Sequence, residues 1–344
     1  MRAAPAESER INVTAMGGGT GLSTLLRGLK HYTIDPTVPV EDEFKPIKQL
    51  SAIVTVTDDG GSSGRLRDEL GVPPPGDIRN CMTALSDDEA LMSRLFQFRF
   101  GGGGDLEGHN FGNLFLTALT QITGDFAQAV ELSSVILKTR GDIFPSTNSN
   151  VRLDALMNDG TRVRGETKIS ASKKRIVRLQ LVPANARPLP AAIEAIRHAD
   201  VITIGPGSLF TSVIPNLLVR DISKALIESS AVKVYVCNLM TQANESIDLS
   251  ASEHIKAIFE HAGAPIFDYV VVNDRPVPEN MRFAYAAEGA TQIVVDHDRI
   301  AALGVTPICG DYLDTTGPAR HNHQRLAQDL LALYLRARLS QLSR

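Results

Sequence analysis

A short apolar run that ends in a row of glycines, followed by leucines at helical spacing, limits the possible folds of this chain more than any other feature. Residues 11–16 are partly β-branched and lead into Gly17-Gly18-Gly19-Thr20-Gly21. Leu22, Leu25, Leu26 and Leu29 then recur every three or four residues, which is typical of the buried face of a helix. The pattern predicts a strand, a tight turn and a helix, the opening unit of an α/β fold.

The same order of elements returns further along the chain. Buried strands are predicted at residues 52–57, 201–204, 232–237, 269–273 and 292–295, and helices at 78–85, 89–98, 114–123, 126–137, 221–229 and 324–339. Alternation of this kind implies parallel strands joined by right-handed crossovers. We therefore predict a Rossmann-like, doubly wound α/β fold: a mainly parallel sheet with helices on both faces.

A turn signal at Asn158-Asp159-Gly160 interrupts this alternation. Two short apolar runs flank it, and glycine accepts the positive φ that such hairpin turns need. We expect residues 150–182 to form a β-rich insertion with a small hairpin. A chain of 344 residues can form one large α/β domain, which we place at residues 11–335, with flexible tails at 1–10 and 340–344.

Composition argues against several classes of protein. The net charge is −4 and the longest basic run is Lys173-Lys174-Arg175, so nucleic acid is not an expected partner. Three scattered cysteines predict neither a disulfide framework nor a zinc knuckle. The polar residues 1–10 do not resemble a signal peptide, and no apolar run reaches membrane-spanning length. We therefore expect a cytoplasmic protein without a membrane span; a homo-oligomer is compatible with the sequence.

Two glycine-rich turns are candidate phosphate sites. The first supplies Gly18, Gly19, Thr20 and Gly21, and the second supplies Gly205, Gly207 and Ser208, with Asn238 after the next strand. Glycines let a phosphate approach the main chain, and the helix that follows favours an anion at its N-terminus. The first turn is neither a P-loop nor a Gly-x-Gly-x-x-Gly motif, since Leu22 stands in the last place. The alternative is that both turns are merely tight connections.

Two further polar segments are candidate ligand contacts. Asp58 and Asp59 follow a predicted strand and could hold Mg²⁺, with Arg65 and Arg67 near a phosphate; a solvated turn with a capping aspartate is the alternative. Between Gly108 and Gly112, His109 stands next to Asn110, with Asn113 shortly after, where side chains could meet a sugar or a base. The predicted contacts in these segments are Asp59, Ser62, Arg65, His109 and Asn113, with Asp58 and Asp59 as metal candidates. Residues 76–80 continue the polar line and add Asn80, although Asp77 could equally be a plain helix cap.

Taken as an ordered set, these motifs resemble those of the gluconeogenesis-factor (YvcK-like) proteins, relatives of the 2-phospho-L-lactate transferase (CofD) of deazaflavin coenzyme biosynthesis. The segments that carry the resemblance are residues 17–23, 58–67, 76–80, 112–114 and 205–208, and it extends over residues 11–335. Two departures stand out. The family's Thr-Gln-Pro-Gly-Glu reads Thr241-Gln242-Ala243-Asn244-Glu245, and Asn110 replaces a common serine.

The resemblance implies a Rossmann-like core, a cytoplasmic location, binding of UDP-N-acetylglucosamine, and a role in cell shape and growth on gluconeogenic carbon sources. By the same likeness, Tyr285 and Arg320 resemble ligand contacts of the UDP-sugar-binding branch. In the transferase branch an aspartate in the place of Asp58 or Asp59 looks like the Mg²⁺ ligand, so Mg²⁺ is the one candidate cofactor.

Three functions follow, and the sequence alone leaves it open whether the protein is an enzyme. The first is a UDP-sugar-binding regulatory protein of cell-envelope metabolism. The second is a Mg²⁺-dependent transferase that passes a phospholactyl group to a deazaflavin hydroxyl, with Arg65 and Arg67 steadying developing charge. The third, an NAD-dependent oxidoreductase, has only the Rossmann pattern in its favour. With no tryptophan and 5% aromatic residues, a flat tricyclic acceptor lacks an evident binding slot, which favours the regulator.

Overall fold

The computed structural model describes residues 10–34, 44–172, 174–243 and 245–342. The predicted tails fall largely outside these ranges, as do Lys173 of the basic run and Asn244, one of the departures from the family pattern.

The first half of the chain contains three strands of the central sheet, a run of helices and the β-rich insertion. In chain order the elements are β1 (Ile11–Gly17), α1 (Gly19–Lys30), β2 (Ile47–Val54), α2 (Gly61–Leu70), α3 (Gly76–Leu85), α4 (Glu89–Phe96), α5 (Phe111–Thr123), α6 (Phe126–Ile136), β3 (Asp142–Pro145), β4 (Arg152–Met157), β5 (Arg162–Arg164), α7 (Glu166–Ala171) and β6 (Ile176–Val182).

The second half returns to strands separated by helices. Its elements are α8 (Pro190–Arg197), β7 (Val201–Ile204), a π-helical turn (Leu209–Val213), α9 (Ile214–Leu217), α10 (Ile222–Glu228), β8 (Val232–Val236), α11 (Ala251–Ala262), β9 (Tyr269–Asn273), α12 (Glu279–Ala286), α13 (His297–Ala302), β10 (Thr306–Gly310), β11 (Leu313–Asp314), β12 (Arg320–His321) and α14 (His323–Leu342).

Seven parallel strands form the central sheet, in the order β10-β9-β8-β7-β1-β2-β3. Side chains of the middle strands, such as Ala15, Ile53 and Ile202, are fully buried, as expected where helices cover both faces of a parallel sheet. The predicted Rossmann-like α/β class is confirmed.

The strand order reverses between β1 and β7. From β1 the chain moves outward through β2 to β3, whereas from β7 it moves through β8 and β9 to β10 in the opposite direction. Right-handed crossovers then place the helices of the two halves on opposite faces. Such a reversal opens a crevice beyond the carboxyl ends of the two central strands, where α/β proteins bind ligands.

The insertion forms a separate antiparallel sheet in which β4 pairs with both β5 and β6. The turn at Asn158-Asp159-Gly160 joins β4 to β5, and Gly160 adopts a φ of +82°. The predicted hairpin is therefore present. Strand β6 and helix α7 were not predicted.

Two predictions about local structure are wrong. Residues 292–295 form no strand; Gln292 makes one isolated antiparallel bridge with Met240. The end strand of the sheet is instead β10, which pairs in parallel with β9 and contains Pro307, a residue that sheets tolerate at an edge. The segment after Asp59, expected to be a loop, forms helix α2 from Gly61 onward.

Candidate functional site

A cleft of about 310 Å³ lies at the point where the strand order reverses. The glycine turns that follow β1 and β7 form its floor, and the segment after β8 forms one side. Its size falls within the range of small-ligand sites, roughly 300–1,000 Å³. The lining consists of Gly18, Gly19, Thr20, Gly21, Thr24, Pro206, Gly207, Ser208, Ser212, Asn238, Leu239, Met240, Thr241, Gln242, Tyr285, Pro318, Ala319, Arg320 and His321.

Helix α1 directs its N-terminus into this cleft without a side-chain cap of its own. Gly18 precedes the helix in an extended conformation and makes no capping bond, and Gly19 adopts a φ of +61°, a region that favours glycine. The Gly19 N–H donates to the carboxylate of Asp77 from helix α3. The other amides of the first turn are thus candidates for binding an anion.

The two glycine turns approach each other closely enough to exclude side chains. A Cβ atom on Gly21 would lie 2.6 Å from the Pro206 carbonyl oxygen, and one on Gly18 would lie 2.6 Å from Asp77 Oδ2. Both distances are below any ordinary contact. Glycine at position 21 therefore serves the close packing of the two turns, and glycine at position 18 leaves room for the Asp77 carboxylate.

Polar side chains from after β8 hold the second turn in place. Asn238 Oδ1 accepts from the Gly207 N–H at 3.3 Å, and its Nδ2 donates to the Gly207 carbonyl at 2.9 Å. Gln242 Nε2 donates to Ser208 Oγ at 2.8 Å. Buried Glu245 accepts from the N–H groups of Phe210 and Thr211. Both residues lie near the start of the π-helical turn beside the cleft.

The wall opposite the glycine turns comes from α12 and the β12 segment. Tyr285 donates to the Ala319 carbonyl at 3.4 Å, and Arg320 is exposed at the rim. His321 lies buried beneath, where Nε2–H donates to the Cys237 carbonyl at 3.1 Å. Burial lowers the pKa of His321 to about 4, so this ring is neutral. Its hydrogen bond to Cys237 holds the β12 segment in place.

A second polar cluster surrounds the N-terminus of α5. Ser62 Oγ lies 3.2 Å from His109 Nδ1 and accepts from the Asn110 N–H. Asn113 donates to Ser63 Oγ at 3.3 Å and accepts from Arg79 at 2.8 Å. Arg79 also donates to Asn80 Oδ1. The amides that the sequence assigned to a ligand thus already bind protein groups here.

Carboxylates gather between the cleft and this cluster. Burial and the negative charge of Asp58 raise the pKa of Asp77 to about 7. Burial, with Asp58 and Asp77 nearby, raises the pKa of Glu166 to about 9. Glu166 comes from α7 of the insertion, so the insertion contributes charge to this region.

The adjacent aspartates Asp58 and Asp59 have different surroundings. Asp59 Oδ1 accepts from the N–H and the hydroxyl of Thr167 at 2.8 and 2.7 Å, in the first turn of α7. Asp58 Oδ1 accepts from the Gly60 N–H at 2.8 Å, and a Cβ atom on Gly76 would lie 2.8 Å from Asp58 Oδ2. Asp58 therefore faces α3 and Asp77, whereas Asp59 helps to dock the insertion.

The two arginines of α2, Arg65 and Arg67, contact different parts of the protein. Arg67, which the sequence placed near a phosphate, is buried and donates to Asn150 Oδ1 at 2.7 Å and to the Val151 carbonyl. It joins α2 to the start of the insertion, so the phosphate role assigned to it is corrected to a structural one. Arg65 donates to the Glu107 carbonyl at 2.7 Å.

Within the described ranges, no group of three or more histidine, cysteine, aspartate or glutamate side chains is arranged to hold a metal ion. Mg²⁺ usually keeps several waters and is bound by one or two carboxylates together with substrate phosphates. Asp58 fits that requirement better than Asp59, because Thr167 occupies Asp59. Magnesium at Asp58 thus stays a prediction that depends on a bound nucleotide.

The structure brings part of the predicted site together. Gly18, Gly19, Thr20, Gly21, Gly207, Ser208, Asn238, Tyr285 and Arg320 line one cleft. Gly205 lies just before it, and Asp59, Ser62, Arg65, Asn80, His109 and Asn113 are not among the lining residues. Asp77 links the two regions because it contacts Gly19 and faces Asp58. Thr24 and Ala319 line the cleft but were not among the predicted contacts.

Comparison with known proteins decides the family. The family model described as "2-phospho-L-lactate transferase CofD" matches residues 13–313. The chain belongs to the CofD family.

Among its relatives, this CofD-family chain is similar to proteins named gluconeogenesis factor. It is 48% identical to the one from Halalkalibacterium halodurans, over 93% of this chain and 95% of that protein. It is 45% identical to the one from Bacillus subtilis, over 94% of this chain and 98% of that protein. The resemblance inferred from the motifs is confirmed.

A solved structure supports the fold of this CofD-family chain. The crystal structure of a UPF0052-family protein from Bacillus halodurans is 46% identical and has a TM-score of 0.87, with 94% of this chain and 99% of that chain covered. Among the described helices, none combines the length and apolar character needed to cross a membrane.

Proposed function

We propose that this chain binds a nucleotide diphosphate-sugar, UDP-N-acetylglucosamine in particular, in the cleft between β1 and β7, and that it acts as a regulatory protein. The observation that carries the proposal is the convergence of two glycine turns and the N-terminus of α1 on one cleft. Backbone amides at such a position bind phosphate groups, and the helix dipole favours their negative charge.

The diphosphate would lie against the amides of Thr20 and Gly21 and the hydroxyl of Ser208, with Arg320 across the cleft. Arginine suits this place because its planar guanidinium can form paired hydrogen bonds with phosphate oxygens. Asn238 and Gln242 supply amide groups for the sugar or the base, and Tyr285 offers an aromatic face for the uracil ring.

The transferase is the second candidate, and the family match and the acidic group around Asp58 favour it. Bound Mg²⁺ would neutralise phosphate charge, and Asp58 would be its protein ligand. A flat tricyclic acceptor, however, needs stacking partners. Among the described residues that line the cleft, Tyr285 is the one phenylalanine, tyrosine or tryptophan. This lining supports the regulator.

Calorimetric titration with UDP-N-acetylglucosamine, GDP and NAD, with and without Mg²⁺, tests the proposal. We expect saturable binding of the UDP-sugar without turnover. Arg320→Ala should weaken that binding by at least about tenfold, equivalent to the loss of one charge-assisted hydrogen bond. Arg94→Ala, at an exposed position on α4, is the matched control and should bind like the wild type.

Three outcomes would contradict the proposal. Preferential binding of NAD would favour the oxidoreductase, and Mg²⁺-dependent product formation with a deazaflavin acceptor would favour the transferase. Unchanged affinity in Arg320→Ala would mean that the ligand binds outside this cleft.

The wider role belongs to the same proposal. We place the protein in the cytoplasm, in agreement with its free cysteines Cys81, Cys237 and Cys309, and in the control of cell shape, cell-envelope metabolism and growth on gluconeogenic carbon. Its relatives named gluconeogenesis factor support the part of this role that concerns growth on gluconeogenic carbon.

A further inference from the structure

The β-rich insertion carries a charge opposite in sign to that of the chain as a whole. Residues 150–182 contain eight lysines and arginines but three aspartates and glutamates, an excess of five positive charges. The whole chain has a net charge of −4. A local excess of one sign attracts groups of the opposite sign, so the insertion is the part of this acidic chain that favours an anionic partner.

Strand pairing places four of these arginines on one side of the insertion sheet. Neighbouring residues of a strand point to opposite faces of a sheet. Arg164 pairs with Asp154 of β4, and both Arg162 and Arg178 pair with the next residue but one of β4, Leu156. We term this side the arginine face; its arginines are Arg152, Arg162, Arg164 and Arg178.

The opposite side of the same sheet belongs to the protein core. The residues that alternate with the arginine face along β4 and β6 are buried and apolar: Leu153, Ala155, Met157, Leu179 and Leu181. Arg162, Arg164 and Arg178 are by contrast exposed. Antiparallel sheets commonly bury one face and leave the other to solvent, and here the solvent side is the arginine face.

A central aspartate orders the arginine face. Asp154 is 6% exposed, and its Oδ2 atom lies 3.2 Å from Arg162 and 3.8 Å from Arg164. Arg178 has no ion pair within the part of the chain that the structure describes. Because Asp154 balances one charge while it holds two guanidinium groups, the face keeps an excess of positive charge in an ordered arrangement.

The spacing of these arginines matches an extended chain with acidic side chains. Arg162 and Arg164 are two residues apart on β5, which corresponds to roughly 6–7 Å along the strand. Strands β5 and β6 flank β4, so their arginines are separated by roughly 10 Å across the sheet. Every second side chain of an extended segment repeats at the same 6–7 Å, and a guanidinium group binds a carboxylate through paired hydrogen bonds.

Other polyanions match the arginine face less well. Single-stranded nucleic acid stacks its bases on aromatic side chains, and none of the described residues on this side of β4, β5 and β6 is aromatic. Anionic membranes bind basic surfaces that also insert apolar side chains. The apolar members of the face, Leu156 and Val182, are only partly exposed. These properties favour a protein as the partner.

We propose that the arginine face docks an acidic, extended segment of a partner protein. Glutamates or aspartates at alternate positions of that segment pair with the exposed arginines, and complementary charge selects this surface over the acidic remainder of the chain. The described lining of the nucleotide cleft contains no residue of the insertion. The inference therefore goes beyond the proposed function and does not depend on the ligand of that cleft.

Fluorescence anisotropy at low ionic strength, with a labelled peptide of four Glu-Ala repeats, tests the proposal. The wild type should bind this peptide saturably, and the affinity should fall as salt is added. A Gln-Ala peptide of equal length should not bind. The double variant Arg164→Gln/Arg178→Gln removes two charges from the face, and we expect its dissociation constant to rise at least tenfold.

A matched control separates the arginine face from general charge effects. Arg197→Gln/Arg220→Gln removes two exposed charges outside the insertion and should bind the peptide like the wild type. Circular dichroism verifies that each variant is folded. Since Arg164 also contacts Asp154, Arg178→Gln alone serves as a second variant that leaves this contact intact, and it should weaken binding about threefold.

Several results would overturn the proposal. These are the absence of saturable binding by the wild type, equal weakening in the two double variants, or wild-type affinity in Arg164→Gln/Arg178→Gln. Tighter binding of a 12-nucleotide oligodeoxythymidine, or of vesicles that contain phosphatidylserine, at the same ionic strength would assign the face to that class of partner instead.

Discussion

The Glu166 carboxylate is buried near other acidic side chains, and one of its oxygen atoms lacks a hydrogen-bond partner among the described residues. Within the described part of the chain, its Oε2 atom is buried and has no hydrogen-bond partner. Burial, together with Asp58 and Asp77, raises its pKa to about 9. The unfolded chain would lose this proton near pH 4.5, so between the two values the folded state binds more protons, and the free energy of unfolding falls as pH rises.

The variant Glu166→Gln should therefore be more stable than the wild type at pH 8, by on the order of 1–2 kcal/mol, because the neutral amide enters the buried site without the proton uptake that Glu166 needs on folding. Between pH 7 and 9 its free energy of unfolding should change less with pH than that of the wild type. The pKa of Asp77, about 7, puts most of the Asp77 contribution below this window. Urea denaturation at several pH values measures both effects.

Glu279→Gln, at an exposed position on α12, is the control and should leave the pH profile unchanged. A Glu166→Gln protein that is less stable than the wild type at pH 8 would show that the carboxylate has a favourable partner in the folded chain.

At this scale the sequence predicts the residues of a turn but not their distant neighbours. Gly18 to Gly21 and Asp58 could be assigned because adjacent residues carry the signal. The bond from Thr167 to Asp59 joins residues 108 positions apart, and no local pattern reveals it. For the same reason the structural role of Arg67, which binds Asn150, could not be predicted.

Helices α1 and α14 approach each other closely at Gly28. A Cβ atom on Gly28 would lie 2.1 Å from the His323 carbonyl oxygen at the start of α14, well inside any ordinary contact. Since this atom belongs to the backbone, it cannot move aside as a flexible side chain can. Only glycine fits between the two helices as they stand.

Gly28→Ala should destabilise the protein by about 1–3 kcal/mol, because overpacking outweighs the better helix propensity of alanine. Chemical denaturation measures the change. Gly101→Ala, where a Cβ atom would meet nothing within 4 Å, should shift stability by less than about 0.5 kcal/mol. Equal stabilities for the two variants would mean that α14 does not pack on α1 as described.

Element prediction succeeded where periodicity was strong and failed at the sheet edge. Strands β7 and β9 were predicted at their observed bounds, since continuous β-branched runs mark buried strands. Strand β10 was missed because Pro307 interrupts its pattern. The apolar residues 292–295 were predicted to form a strand instead, but Val294 is 66% exposed.

The candidate site lies where it does because the strand order of the central sheet reverses between β1 and β7. The β1 and β7 turns are almost 190 residues apart in the sequence, yet they become neighbours because β1 pairs with β7. The sequence predicts the parallel sheet but not its order, so it could not show which turns share the cleft. For that reason the predicted rim included His109 and Asn113, which lie in the adjoining cluster. The boundaries of a single domain at 11–335 stay a prediction.

A crystal structure of the chain with UDP-N-acetylglucosamine tests the central claim most directly. We predict diphosphate oxygens at hydrogen-bond distance, about 2.7–3.2 Å, from backbone amides in the Gly18–Gly21 turn, with the Arg320 side chain closing over them. Density for the diphosphate anywhere other than between the β1 and β7 turns, with the Gly18–Gly21 amides bonded to water, would contradict the account.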